Sequence, residues 1–264
     1  MHPWRSLPSL LLAGVALAAA PAARVQVQGT ELLVTLPDGR VLRGAGLVGM
    51  ELQVTDEAGA SRRVRIDGVS KDPEDPDGEV TLYTSSVRDP ATGAWGAFCQ
   101  PGPDGTSAAF PLSGTWTADM RHLPSETAFN LTCTSGAIGK CVRWGYKPWK
   151  DGATGWEAHQ ACVRMVRADY CGDGVATTRD GMRIDVYDLR GIQTPANEPD
   201  MAFEAGWGPD GALCVHHVRV PEHTSLDALL ARCPSRLAGH TGAACSEAVV
   251  RADPALRVMN RSRP

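Results

Sequence analysis

The 264-residue chain is defined first by what it lacks. It has no C-x-x-C and no C-x-x-C-H among its eight cysteines, which disfavours a zinc ribbon, a thioredoxin-type redox site and haem attachment. It has no basic cluster able to track phosphates, so nucleic acid is a poor partner. There is no Gly-x-Ser-x-Gly elbow, no Walker loop and no dinucleotide fingerprint, so no cofactor or catalytic motif is assigned. No internal repeat suggests a solenoid. Beyond the N-terminus, no apolar run approaches the ~20 residues a membrane span requires.

The one apolar run, Leu10 to Ala20, follows Arg5 and precedes Ala20-Pro21-Ala22. A positive start, a short apolar stretch and small residues at the cleavage positions predict a signal peptide over residues 1–22. No cysteine follows it, so a lipobox anchor is not expected. Removing Arg5 leaves 25 basic against 30 acidic residues, a net charge of −5. The expected location is secreted or periplasmic, with no membrane span in the mature chain. All eight cysteines (Cys99, Cys133, Cys141, Cys162, Cys171, Cys214, Cys233 and Cys245) lie past residue 22. An even count in an oxidising compartment predicts a disulfide framework. Eight cysteines allow 105 pairings, and the sequence does not choose among them.

The chain from 23 to 94 reads as β-rich. Strand-like runs occupy Leu32–Leu36, Val41–Leu52, Val64–Val69 and Glu79–Ser85, with Pro37-Asp38-Gly39 as a turn. The acidic stretch Lys71–Glu79 lacks the ligand order of an EF-hand and reads as a solvated loop. Residues 95–264 form the cysteine-rich part, with a further strand over Leu112–Trp116. Thr154-Gly155-Trp156-Glu157 predicts a capping box. From it a helix of about four turns runs toward Cys171, burying His159 and Cys162, and Gly172 suits its end. Cys162 and Cys171 would then lie roughly 13 Å apart along the axis, too far to bridge each other. Met182–Tyr187 alternates, and Phe203 to Val220 reads as a hairpin about Gly208-Pro209-Asp210-Gly211. A short capped helix covers Thr224–Cys233, and the tail from Pro234 shows little periodicity. The expected class is α+β: an antiparallel β-rich N-terminal part, then a disulfide-braced domain with one main helix packed on β-hairpins.

The candidate site residues are aromatic. Trp144, Tyr146, Trp149 and Trp156 fall within thirteen residues, either as a platform for a glycan or peptide or as packing beneath the helix. Two chemical alternatives are weaker. His159-Gln160-Ala161-Cys162-Val163-Arg164-Met165 faintly echoes the nucleophile motif of L,D-transpeptidases, but an even cysteine count implies that Cys162 is bridged. His216, His217 and His223 near Cys214 invite a metal, yet adjacent strand residues point to opposite faces, and no metal site is assigned. Asp169, near the negative end of the helix dipole, is expected to be partly buried and paired with Arg143, Arg164 or Arg167, or with loop N–H groups.

The run Arg167-Ala168-Asp169-Tyr170-Cys171-Gly172-Asp173-Gly174 carries the tetrapeptide of the ADYC-domain family. Cys133-Thr134-Ser135-Gly136, Lys140–Trp149, His159–Cys162, Thr178–Gly181 and Trp207–Gly211 resemble it too, so the likeness extends from about Trp95 to Cys233. It implies an exported bacterial protein and lends no catalytic residue. A non-enzymatic binding or envelope-associated module is the favoured role. The alternative is a hydrolase or transpeptidase of cell-wall or other extracellular polymer.

Overall fold

The computed structural model describes residues 23–56 and 58–264; the expected signal peptide lies outside them. The chain opens with an antiparallel hairpin of β1 (Arg24–Gln28) and β2 (Glu31–Thr35), extended by β3 (Val41–Leu42). Leu32 and Val34 alternate inward from β2 and are buried. Pro37-Asp38-Gly39 makes the turn before β3, with Gly39 at φ +86°. The single strand expected over Val41–Leu52 is broken. Gly44 and Gly49 take φ values of +51° and +89°, which no strand accommodates, and the chain passes through a 3-10 turn at Gly44–Leu47.

A six-stranded antiparallel sheet follows. It joins β4 (Glu51–Thr55), β5 (Ser61–Lys71), β6 (Thr81–Arg88), β7 (Trp95–Ala97) and β8 (Ala109–Ser113). A separate two-stranded ribbon consists of β9 (Thr115–Trp116) and β10 (His122–Leu123). The last strand of the large sheet is β11 (Phe129–Cys133). The order is β11-β8-β6-β5-β4, with β7 beside the end of β6. Gly114, at φ +85°, separates β8 from β9 where one strand was expected. The large sheet takes strands from both sides of residue 95, so residues 23–94 and 95–264 differ in sequence character but share a sheet. Ile66, Leu82, Tyr83, Phe110 and Leu112 bury one face of it. The Leu32 N–H donates to the Tyr83 hydroxyl at 2.9 Å, fastening the first hairpin to this core.

Two helices come next, α1 (Ala137–Arg143) and α2 (Gly152–Arg167). The capping box does not form. The helix starts three residues earlier, Asp151 holds the N-cap without a side-chain bond, and Glu157 pairs with Arg257 at 2.6 Å. Nor does the helix reach Cys171. Ala168, fully buried, takes the left-handed conformation at φ 49° and ends it.

The C-terminal sheet combines β12 (Asp185–Tyr187), β13 (Ala202–Gly208) and β14 (Gly211–Val215). After the short helices α3 (Leu226–Arg232), α4 (Pro234–Leu237) and α5 (Glu247–Val250), the chain returns as β15 (Val258–Ser262). The order β12-β15-β13-β14 puts this tail strand inside the sheet. Helix α1 touches β11, and α2 touches β13, β14 and β15, so the helical pair lies between the two larger sheets. The expected α+β class, with hairpins and a principal helix, is the class observed.

The eight cysteines form four bridges: Cys99–Cys133, Cys141–Cys162, Cys171–Cys233 and Cys214–Cys245. Cys141–Cys162 staples α1 to α2. Cys171–Cys233 ties the segment after α2 to the end of α3. Cys162 and Cys171 do not pair with each other, as expected, although the helix ends at Arg167.

Candidate functional site

The residues that name the tetrapeptide are structural anchors. Asp169 is fully buried. Its carboxylate accepts from the Arg164 guanidinium at 2.5 Å and from the backbone N–H groups of Asp173 and Gly174 at 3.1 and 3.0 Å. Its partner is Arg164, one of the three arginines considered, whereas Arg143 is engaged elsewhere. Tyr170 donates to Glu204 at 2.9 Å and accepts from the Arg219 N–H at 2.9 Å. Glu204, in turn, is held by Arg219 and by Asn260 of β15, and Asn260 also receives the Trp207 indole N–H. Every member of this network is at most 2% exposed. Arg219 and the hydrogen bonds at Glu204 hold its carboxyl below the usual range despite full burial, so it stays ionised. Cys171 continues into the bridge with Cys233. At Gly172, φ is +73°, and an added Cβ would collide with the Asp210 carbonyl of the β13–β14 turn. Only glycine lets the two turns meet there.

The expected aromatic platform is divided. Trp144 and Tyr146 line a cleft of about 430 Å³ formed by the acidic loop after β5, the α1–α2 connection and the loop 188–193. Tyr146 is buried and donates to Asp188 at 2.9 Å. Asp188 also accepts the N–H groups of Arg190, Ile192 and Gln193, which shapes that loop. Burial and the Asp188 charge push the Tyr146 phenol upward, so it remains a neutral donor. Trp144 is half-buried. Trp149 turns away to pack against the core, its ring facing Gly29 of the first hairpin. Trp156 lines a separate cleft with His122.

The acidic loop is solvated along most of its length, but two of its carboxylates are drawn inward. Asp72 and Asp75 are 3% and 7% exposed. Arg143 reaches Asp72 through two guanidinium nitrogens, at 2.6 and 3.0 Å, and Asp104 through a third at 2.7 Å. Lys147 lies among Asp75, Asp77 and Glu79 at 2.6, 2.9 and 2.8 Å, and Lys150 adds contacts to the last two. Lys150 and Lys147 hold the Asp77 carboxyl down at about 2. The Lys147 ammonium is shifted upward: its carboxylate partners outweigh the burial that alone would lower it. Composition hid this set. The loop carries only the ordinary signs of a turn, and its counter-ions stand some 70 positions later in the chain.

The thiol route to a transpeptidase is closed, because Cys162 is bonded to Cys141. His159 is fully buried beside it, donates through Nε2 to the Ile138 carbonyl at 3.1 Å, and has its pKa lowered to about 4 by burial. His216 meets the carbonyls of Gly242 and Cys245, His217 meets Ser262, and His223 meets the Thr178 carbonyl. Cys214 is bridged to Cys245, and no cluster of three metal-type ligands occurs among the described residues.

With this geometry in place, the chain was compared with known proteins. The ADYC domain matches residues 44–221, about two-thirds of the chain. The chain belongs to the ADYC-domain family. The ADYC match begins earlier than the likeness read from Trp95 onward. It takes in the large sheet from β4, so the strand-rich region is largely part of the domain. It ends at residue 221, before the Cys233 half of the bridge. No curated protein and no solved structure matches the chain. Among the described residues, no helix is long and apolar enough to cross a membrane.

Proposed function

We propose that this ADYC protein is an exported, non-enzymatic binding module that takes a glycan in the cleft beside Trp144. The observation that carries the reading is the cleft's charge pairing. Asp75, Asp77, Arg143, Lys147, Lys150, Asp151 and Arg190 each have a counter-ion in the surrounding wall. Groups so committed are poor nucleophiles and poor general acids. They leave a half-exposed indole, polar backbone and the Glu74 carboxylate facing a space of about 430 Å³. An aromatic face beside hydrogen-bonding groups suits a hydroxyl-rich, uncharged ligand. Four disulfides suit an oxidising, extracytoplasmic compartment, and the Arg5, Leu10–Ala20 and Ala20-Pro21-Ala22 pattern supplies a route to it.

The test is titration of the protein, secreted and processed by a suitable host, with chito-oligosaccharides and soluble peptidoglycan fragments. Calorimetry measures binding and chromatography follows the fate of the probe. The expected result is saturable binding with the probe recovered intact. Trp144→Leu should weaken binding at least about tenfold with an unchanged melting temperature. Turnover of the probe, or equal binding by a folded Trp144→Leu variant, would defeat the reading.

A further inference from the structure

The cleft at Trp156 lies on the other side of the first turns of α2 from the cleft at Trp144: Gly155 and Ala158 line one, Trp156 the other. It is an open cleft of about 350 Å³ lined by Ser113 of β8, His122 of β10, the segment 124–126 and Trp156 of the helix. Two of its six lining residues, His122 and Trp156, are aromatic. The His122 imidazole lies flat on the Trp156 indole, with ring centroids 3.6 Å apart and planes 6° from parallel. Trp116 tilts against both rings, at 4.8 and 6.3 Å.

Both clefts hold an unpaired carboxylate, Glu74 in the first and Glu126 in the second, but the second has no set of paired charges around it. Glu126 is the one carboxylate in the lining, and no cation lies within ion-pair distance of it among the described residues. Arg121, nearby in sequence, is turned to Asp119 at 3.6 Å. His122 does not supply the missing charge. Its Nε2 faces the Ser113 carbonyl at 2.9 Å and therefore carries the proton, while burial lowers its pKa, so the ring is neutral at pH 7. Ser125 Oγ accepts the N–H groups of Thr127 and Ala128, which leaves its own hydroxyl proton free to donate. The stack covers one face of each ring, so the cleft offers what remains of the Trp156 indole, one uncompensated negative charge and a spare hydroxyl donor.

We infer that this second cleft binds an organic cation, an ammonium or alkylated ammonium group, held between the His122–Trp156 stack and the Glu126 carboxylate. Ring quadrupoles attract such cations, most strongly when the charge is diffuse and weakly hydrated. The same carboxylate repels anions, and the rings give a strongly hydrated metal ion too few oxygen ligands. The site is independent of the glycan reading, because no residue lines both clefts.

The probes are tetramethylammonium chloride and its neutral near-isostere tert-butanol, at constant ionic strength. The readout is the Trp156 indole N–H signal in a two-dimensional nitrogen–proton spectrum, assigned by its loss in Trp156→Phe. The expected result is a saturable shift with tetramethylammonium and none with tert-butanol. In Glu126→Gln, whose side chain is exposed, the dissociation constant should rise about two- to fivefold with an unchanged melting temperature. A Trp144→Leu variant should bind the cation as the parent does. Absence of a saturable shift, equal response to both probes, or equal affinity in Glu126→Gln would overturn the assignment.

Discussion

Replacing Lys147 by Met keeps the aliphatic stem in its packing place and removes only the charge. Lys147 is 3% exposed at its side chain, and Asp75 is 2% exposed. The variant would leave the Asp75 carboxylate inside the fold without its counter-ion. Removing one partner of a buried pair typically costs about 3–5 kcal/mol. Two features soften that here. Asp75 keeps the N–H groups of Glu79 and Val80 at 2.7 and 2.8 Å, and the half-exposed Asp77 brings water to the rim of the cluster. The expected loss is therefore at the lower end, about 3 kcal/mol at pH 7, or roughly 6–12 °C in melting temperature for a chain of this size. The effect should depend on pH in one direction. Lys147 and neighbouring groups hold Asp75, Asp77 and Glu79 below their ordinary values of 3.8 to 4.5. Their contribution is present above those values and is lost as pH falls toward about 2, where Asp77 titrates. The variant lacks that contribution, and its lone buried carboxyl gains by taking a proton. The gap between parent and variant is thus widest at pH 7 and narrows below about pH 4. Calorimetric melts at pH 7, 5 and 3 measure it. A gap that is the same at all three pH values would mean that packing, not charge, makes the difference. A loss below about 0.5 kcal/mol at pH 7 would mean that water already screens the cluster.

Two further predictions concern the helical layer. Asp169→Asn should cost about 3 kcal/mol, because it strands the buried Arg164 guanidinium. It should leave ligand binding at either cleft unchanged in the surviving folded protein, and an unchanged melting temperature with lost binding would reverse this assignment. His159 is neutral in the fold with a pKa near 4, against 6.5 when exposed, so stability should fall as pH drops from about 6.5 to about 4. The full effect is about 3 kcal/mol; His159→Gln, which keeps a donor for the Ile138 carbonyl, should flatten that part of the pH profile, and an unaltered slope would place the acid sensitivity elsewhere.

What the chain declared in its own order was local. Alternation and turn residues announced the β13–β14 hairpin, because a two-residue period and a glycine with positive φ are properties of neighbouring residues. The helix over 152–167 was visible for the same reason, but its ends were not. A Thr-x-x-Glu spacing describes a cap that forms only when those side chains have no better partner, and Glu157 has one in Arg257, a hundred positions away. Eight cysteines foretold a disulfide framework without pairings, since pairing depends on which elements pack. Tertiary structure decided the rest. It drew the tail Val258–Ser262 into the middle of a sheet, where Asn260 and Ser262 are buried with hydrogen-bonding partners that the sequence does not reveal. It drew two carboxylates of the acidic loop inward and made the loop the wall of a cleft by bringing Arg143, Lys147 and Lys150 against it. It also separated Trp144 from Trp156, twelve residues apart, onto opposite sides of one helix end. A charge's environment is set by groups distant in sequence, so its burial and pairing exist only once the chain has folded.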